Sequence, residues 1–229
     1  MGSRERSKKV PLADRVYATL FEELIAGKHV PGETLNIATL SDQLDVSQTP
    51  IREALARLEN TGLVQRFALR GYEVSPLLNE QQIVELTEAR LLLEPTFAAK
   101  AAQKTDPEFL EQLRLTIDEM ASSHSDGNDE FHLSGALSSD ETFHYLICGQ
   151  VGNEYLERAY RSLRSHVQRF RLFSGTASQH ARAAAKEHQA VYDALERGDS
   201  QLAAEAMRHH LENAHARMLA DYELLNDRC

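Results

Sequence analysis

Cysteine is scarce in this sequence. The chain has 229 residues and two cysteines, Cys148 in its middle part and Cys229 at its end. Two cysteines in these places are too few for a disulfide framework and are typical of a protein from a reducing compartment. Redox chemistry is therefore not expected.

Long hydrophobic runs are also missing. No apolar stretch reaches the roughly 18 residues that a membrane-spanning helix needs. The N-terminal segment MGSRERSKKVPLADR is basic but lacks the hydrophobic part of a secretory signal. With 42% apolar and 26% charged residues, the composition is that of an ordinary globular protein. We therefore expect a cytoplasmic protein that buries a core and has no membrane partner.

The chain has no overall excess of positive charge, which at first argues against a nucleic-acid partner. Its formal net charge is −10. Residues 1–78, however, carry ten Lys or Arg and ten Asp or Glu, whereas residues 79–229 carry fifteen against twenty-five. All of the excess acidity thus lies in the second part of the chain, and the first part can still meet a polyanion.

The N-terminal third has the pattern of a winged helix-turn-helix. Apolar residues at helical spacing in YATLFEELI predict a first helix, which ends before the turn Pro31–Gly32. The segment NIATLSDQLDVSQTPIREALARLENTGLV then predicts a short helix from Leu40 to Leu44, a break at residues 45–47 and a second helix, with Ser47 as N-cap of the second helix and Pro50 in its first turn. Two short strands around residues 69–71 in LVQRFALRGYEVSPL predict a β-hairpin wing.

From Asn79 onward the alternation typical of strands disappears. Segments with 3.6-residue periodicity follow one another at residues 80–103, 107–121, 130–149, 152–172, 177–197 and 200–225. They predict an all-α antiparallel bundle. The predicted fold is therefore mainly α, with a winged helix-turn-helix of three helices and a hairpin wing at residues 1–76, followed by the helical bundle at residues 77–229.

The second helix of the helix-turn-helix carries side chains suited to DNA. Gln48, Thr49 and Arg52 lie opposite its apolar stripe, near its N-terminus. Arginine can read guanine with two hydrogen bonds, glutamine can read adenine, and threonine can bond a phosphate or touch a thymine methyl. Arg66 and Arg70 add positive charge near the wing. The alternative for Arg52 is a solvated charge on a surface helix.

The stretch from IAGKHVPGETL through LSDQLDVSQTPIREALARLENTGLV to RGYEV resembles the winged helix-turn-helix of GntR-type bacterial transcription regulators. The resemblance covers residues 12–76 and implies binding to double-stranded operator DNA. The residues that it implicates are Gln48, Thr49, Arg52, Arg70 and Gly71.

Two positions depart from that family's pattern. Gln48 stands where the family usually has a DNA-contacting arginine, and Ala38 replaces a residue that is often polar or basic. Both departures leave the operator sequence open. Positive charge in the N-terminal tail is expected to adjust the phosphate contacts. This charge comes from Arg4, Arg6, Lys8 and Lys9.

Three of the ten histidines lie on apolar stripes of predicted helices. Asp140 and His144 stand four residues apart, so that a helix places them on one face. His188 continues the stripe of ARAAAKEHQAVYDAL, and His210 continues that of LAAEAMRHHLENAHARML. Four potential ligands thus point inward from three helices.

A single inward histidine is more often a hydrogen-bonded core residue than a ligand. One inward aspartate with three inward histidines is different, because burying an unpaired carboxylate is costly and a divalent cation would compensate it. Such a donor set suits Zn²⁺, Ni²⁺, Mn²⁺ or Fe²⁺, among which the sequence does not choose. Cys148 lies one turn beyond His144 and is interpreted as a small core residue rather than a fifth ligand.

A second resemblance covers residues 80–222. The segments LTEARLLLEPTFAAKAA, DETFHYLICGQVGNEYL and EHQAVYDALERGDSQLAAEAMRHHLENA resemble the FCD-type ligand-sensing domain of the FadR subgroup of these regulators. The resemblance to the metal-binding branch of that subgroup implies that the open positions of a bound metal hold a small carboxylate effector. The metal ligands that the resemblance implies are Asp140, His144, His188 and His210.

The combined expectation is a ligand-responsive transcription repressor, not an enzyme, with residues 77–229 as its effector-binding and dimerisation domain. Two heads of a homodimer would bind the operator, and an organic acid at the metal would change their spacing. Arg90 is a candidate second clamp for the acid, or one partner of an inter-helix salt bridge. Two further alternatives remain open: a metal-dependent hydrolase or oxygenase, and a regulator whose metal is purely structural.

Overall fold

The computed structural model describes residues 11–25, 28–60, 62–122, 129–161, 163 and 177–226. The chain divides into two compact units, Met1–Pro76 and Leu77–Cys229. The predicted fold class is confirmed, because the first unit combines helices with a small antiparallel sheet and the second is helical. None of the described helices is long and apolar enough to cross a membrane.

The elements of the first unit are α1 (Leu12–Ile25), β1 (Thr34–Leu35), α2 (Ile37–Gln43), α3 (Gln48–Asn60), β2 (Val64–Phe67) and β3 (Gly71–Val74). α3 begins directly after Ser47 and has Pro50 in its first turn, as predicted. α2 begins before the predicted Leu40, because the side chain of Asn36 accepts hydrogen bonds from two backbone N–H groups of the first turn. The helix-turn-helix is therefore present, with a longer α2 than the sequence indicates.

The wing consists of β2 and β3, which pair antiparallel with Phe67 opposite Gly71 at the tip. The sequence predicts only these two strands, whereas the structure adds β1, whose buried Leu35 pairs with Tyr72 of β3. A strand of two residues is too short to show the alternation by which strands are recognised. β1 ties the wing to the segment that leads into α2.

The core of the first unit lies between the helices. α3 packs against α1 and α2, and the periodicity of its apolar residues places one face in the core and leaves the other to solvent. The buried apolar side chains of α1, α2 and α3 are Val16, Leu20, Leu24, Leu40, Ile51, Ala54, Leu55 and Leu58.

The second unit contains α4 (Glu80–Ala101), α5 (Pro107–Ser122), α6 (Asp129–Gln150), α7 (Ala177–Glu196) and α8 (Ser200–Asn226). Residues 154–161 are also helical, while most of the second half of the predicted segment 152–172 lies outside the described residues. α4 packs against α8 and α6, and α7 packs against α8 and α5. The bundle core includes Phe97, Leu113, Phe143, Ile147, Val191, Leu195 and Leu211.

A sharp turn joins α7 to α8. Gly198 has a φ of +67°, which glycine adopts without the steric cost that a Cβ would bring. The carboxylate of Asp199 then accepts a hydrogen bond from the backbone N–H of Leu202 and caps α8. This turn returns the chain so that α7 and α8 lie side by side with their apolar stripes in the same core.

Candidate metal centre and nucleic-acid interface

Four polar side chains meet inside the apolar core of the second unit. Asp140 and His144 come from α6, His188 from α7 and His210 from α8, and all four are buried. One potential ligand atom of each residue lies within 4.8 Å of those of the others. The structure thus brings together the four residues that the sequence predicts as metal ligands.

The nitrogen and oxygen atoms of this cluster enclose one small volume. His144 Nε2 lies 3.2 Å from His210 Nε2. Asp140 places its Oδ2 atom 4.0 Å from His144 Nε2 and its Oδ1 atom 3.7 Å from His188 Nε2. The ring of His188 stacks on Phe143 with a centroid distance of 3.9 Å and an interplanar angle of 6°. Packing in the core therefore fixes the orientation of this ring.

Two carboxylates outside the cluster orient two of its rings. His144 Nδ1 lies 2.6 Å from Glu94 Oε2, and His210 Nδ1 lies 2.8 Å from Glu187 Oε2. A neutral ring that carries its proton on Nδ1, facing a carboxylate, keeps the lone pair on Nε2. Two such lone pairs at the observed 3.2 Å repel each other unless a cation or a proton lies between them. This donor set fits a divalent metal ion.

The surroundings keep His210 in the form that binds metals. Burial lowers the pKa of His210 to about 4, although the hydrogen bond with Glu187 opposes this shift. The ring is therefore neutral at pH 7, which is the state required of a metal ligand. Burial by itself would raise the pKa of Glu187, but hydrogen bonds from Arg217 and His210 lower it to about 2. Glu187 is thus a carboxylate at pH 7.

Each outer carboxylate is held by an arginine. Arg90 Nε donates to Glu94 Oε1 at 2.5 Å. Arg217 donates from its two Nη atoms to the two oxygens of Glu187, at 2.8 Å each. Burial alone would raise the pKa of Glu94, but the nearby charge of Arg90 and hydrogen bonds from His144 and Arg90 hold it well below its ordinary value. A negatively charged carboxylate is therefore held beside the Nδ1 atom of His144 and another beside that of His210.

Sequence reasoning missed both outer carboxylates. Glu187 adjoins His188, and residues adjacent on a helix point in different directions, so the sequence does not indicate a contact with the cluster. The structure shows that it reaches His210 on the neighbouring helix instead. For Glu94 a signal exists, because Arg90 and Glu94 have the (i, i+4) spacing of a helical ion pair. The salt bridge of Arg90 thus lies within α4, not between helices as its alternative reading predicts.

Two further groups lie in the core around the cluster. Cys148 belongs to the apolar core and not to the group of ligand atoms, and burial raises its pKa to about 12. Tyr160, which the sequence did not single out, is buried and interacts electrostatically with Glu94, Arg90 and Asp140. Burial raises the pKa of Tyr160 well above its ordinary value, so that its hydroxyl keeps its proton. Cys148 is placed as a small core residue.

The side chains predicted to read DNA lie on the solvent face of α3. Gln48, Thr49 and Arg52 are exposed, whereas Ile51 and Leu55 are buried. Arg52 Nη2 donates to Gln48 Oε1 at 3.3 Å across one helical turn. The glutamine that replaces the usual arginine therefore forms one polar patch with Arg52.

A groove of about 570 Å³ separates α3 from the wing. Arg52 and Glu53 line it from the helix, and Arg66, Leu69 and Gly71 line it from the wing. The two arginines provide donors for phosphate oxygens on both sides of the groove. The helix and the wing thus present one continuous surface to a ligand.

The structure places the remaining predicted DNA contacts at the wing tip. Arg70 is exposed, and its Nη2 atom lies 2.6 Å from Glu73 Oε1 while its guanidinium lies over the ring of Phe67. Gly71 has a φ of +89°, a conformation that favours glycine. The charged residues of the N-terminal tail lie outside the described residues, namely Arg4, Arg6, Lys8 and Lys9.

Two protein-family models match this chain, one in each of its two units. Residues 12–74 match the family described as bacterial regulatory proteins, gntR family. Residues 85–213, more than half of the chain, match the FCD domain. Fold and family matches together define a two-domain transcription regulator with a DNA-binding head and a ligand-binding helical domain. The chain belongs to the GntR family of bacterial regulatory proteins, in the subgroup with an FCD domain.

Individual relatives agree with this assignment. The chain is 27% identical over 209 residues to the HTH-type transcriptional regulator LutR of Bacillus subtilis (strain 168), covering 82% of this chain and 92% of that protein. It is 32% identical over 138 residues to the Nta operon transcriptional regulator of Aminobacter aminovorans, covering 60% of this chain and 63% of that protein. These relatives and both domains are those of transcription regulators and not of enzymes, so the hydrolase or oxygenase alternative is not supported.

A solved structure shares the fold. E. coli McbR/YncC matches with a TM-score of 0.71 and 21% sequence identity, over 93% of this chain and 99% of that one. At this level of identity, the likeness concerns the arrangement of helices and strands alone.

Proposed function

We propose that this chain is a repressor that binds operator DNA as a homodimer, and that its C-terminal domain holds a divalent metal ion and a small carboxylate effector. One observation carries the proposal. Asp140, His144, His188 and His210 converge on one buried volume, and carboxylates behind His144 and His210 turn their Nε2 lone pairs inward. The effector would control operator binding from this site.

Asp140, His144, His188 and His210 would hold the metal. One carboxylate and three neutral imidazoles suit Zn²⁺, Ni²⁺, Mn²⁺ or Fe²⁺. When bound, the ion would supply positive charge and, with four protein ligands, open positions for an oxygen ligand. A small organic acid is the effector class that fits such positions, and the resemblance to the FadR subgroup points to the same class.

Arg90 has two possible tasks beside the metal. Its guanidinium is buried, bound to Glu94 and in electrostatic interaction with Asp140. It could bind the effector carboxylate directly, as proposed from the sequence. It could also act as a positioning residue that holds Glu94, which in turn orients His144. The two tasks predict different consequences for metal binding.

The DNA-binding head explains why a dimer is proposed. One α3 helix reads too few base pairs for a specific operator, so that two heads and two half-sites are needed. An effector shifts the arrangement of the heads only to the extent that its affinity differs between the two arrangements. In the alternative in which the metal is purely structural, the DNA-binding head is the same, but its operator binding does not respond to acids.

Arg90→Lys separates the tasks of Arg90. We expect the metal-loaded full-length chain to gain about 5 °C in unfolding temperature from one class of mono- or dicarboxylate. If Arg90 is a clamp, Arg90→Lys weakens binding of that acid by about tenfold because the two-pronged contact is lost, while the affinity for Zn²⁺ stays unchanged. Thermal shift and calorimetric titration measure the two affinities.

The exposed Arg158 on another helical segment provides the control, because Arg158→Lys makes the same chemical change away from the cluster. A loss of Zn²⁺ affinity in Arg90→Lys would assign Arg90 to positioning Glu94. If no carboxylate stabilises the metal-loaded chain, the effector part of the proposal fails and the structural-metal alternative takes its place.

A further inference from the structure

The turn at the tip of the wing contains a leucine in a costly conformation. The backbone N–H of Arg70 donates to the carbonyl of Phe67 at 3.3 Å and closes the turn. Leu69, the third residue of this turn, has a φ of +66°. A positive φ at this position favours glycine or asparagine, because the Cβ of other residues crowds the backbone. The fold therefore loses stability by having leucine here.

The side chain of Leu69 does not recover this loss by packing. Its relative exposure is 107%, the largest among the exposed apolar residues of the described chain. The neighbouring arginine is held back against the wing, since Arg70 pairs with Glu73 and covers Phe67. A strained residue that gains nothing within its own fold indicates a function in binding. Leu69 is thus a fully exposed apolar side chain at the tip of a polar wing.

Leu69 also has a defined place relative to α3, the helix proposed to read base pairs. It lines the same groove as Arg52 of α3 and Arg66 of β2. If α3 lies in the major groove, as the second helix of a helix-turn-helix does, the wing tip on the far side of this groove would lie beside the neighbouring minor groove. Proteins that bind the minor groove frequently insert apolar side chains, leucine among them, between its base steps.

We propose that Leu69 enters the minor groove beside the sequence read by α3 and makes operator binding depend on A·T base pairs there. The floor of the minor groove carries only acceptors at A·T pairs, whereas a G·C pair adds the N2 amino donor of guanine. Leucine cannot accept a hydrogen bond, so it would bury that donor unpaired at a cost. This inference rests on the proposed DNA-binding function and adds a specificity-determining residue to it.

Operator duplexes that contain inosine test this dependence on the guanine amino group directly. An I·C pair differs from a G·C pair in the duplex only by the missing amino group in the minor groove. Operator duplexes are first selected with the full-length chain from a random-sequence library. The base pairs that flank the selected core are then made G·C or I·C. We expect the chain to bind the I·C duplex about tenfold more tightly, and Leu69→Gly to bind both duplexes equally.

Leu69→Gly should keep or raise the unfolding temperature, because glycine adopts the positive φ without strain. Ala68→Asn, at the exposed neighbouring turn position, is the matched control and should keep the preference for I·C. Equal binding of both duplexes by the unsubstituted chain, or a preference that survives Leu69→Gly, would overturn the inference and leave DNA binding intact. If the chain selects no sequence at all, the proposed function fails and the inference fails with it.

Discussion

The substitution His210→Ala is expected to lower the affinity for Zn²⁺ by more than the roughly 100-fold that loss of an outer hydrogen-bond partner costs at a metal site. His210 is fully buried, and its Nε2 atom lies 3.2 Å from that of His144. Its loss removes one of four donors and leaves Glu187 without the ring that it orients. Competition with a chromophoric chelator of known Zn²⁺ affinity measures the effect on the full-length chain.

His209 offers a matched control, since it is the neighbour of His210 on α8 but is exposed and lies outside the group of ligand atoms. His209→Ala should bind Zn²⁺ as the unsubstituted chain does. Zn²⁺ at about 1,000 times its dissociation constant should stabilise the folded chain by about 4 kcal/mol, and His210→Ala should lose this stabilisation. Equal Zn²⁺ affinities for the two variants would exclude the proposed centre.

A second variant distinguishes loss of the metal site from a general loss of folding in His210→Ala. Glu187→Gln keeps all four donors and nearly the same side-chain volume, but it weakens the hydrogen bond to His210 Nδ1. We expect its Zn²⁺ affinity to fall by about 10- to 100-fold. An unchanged affinity would mean that Glu187 has no part in orienting the ring.

Arg52→Ala is expected to weaken binding to a selected operator duplex by about 1–3 kcal/mol, or roughly 5- to 150-fold. Arg52 is exposed on α3, is hydrogen-bonded to Gln48 and lines the groove between helix and wing. Fluorescence anisotropy with selected and random duplexes at several salt concentrations measures the loss. Loss of a base contact weakens binding to the selected duplex most. Loss of a phosphate contact instead weakens binding to both duplexes and lowers the salt slope by about one.

Arg158→Ala is the control for charge, because it removes one exposed arginine from the second unit. It should leave operator binding nearly unchanged. If Arg52→Ala binds the operator as tightly as Arg158→Ala, α3 is not the helix that contacts DNA.

The four residues of the cluster could be predicted to meet because helix periodicity determines which way a side chain points. His188 and His210 share their stripes with residues that are buried in the structure, such as Val191 and Met207. Once these helices pack, residues on the inward stripes must meet. The convergence of the cluster therefore follows from local patterns together with the bundle fold.

The outer carboxylate Glu187 could not be found in the same way. Glu187 contacts His210 because α7 and α8 lie side by side at one particular offset, and periodicity does not encode that offset. The positive φ of Leu69 could not be predicted either. Glycine or asparagine at the third position of a turn would indicate this conformation, and the sequence has leucine there. β1 escaped prediction because Thr34–Leu35 owes its strand geometry to pairing with β3 rather than to its own residues.

The operator dissociation constant of the metal-loaded full-length chain, measured with and without the stabilising carboxylate, tests the proposed function most directly. We expect the acid to weaken operator binding by about 5- to 150-fold, the usual range of coupling between two sites. The His210→Ala chain should bind the operator without responding to the acid. An operator affinity that the acid leaves unchanged in the metal-loaded chain, or a response that persists in His210→Ala, would contradict a metal-held effector as the signal.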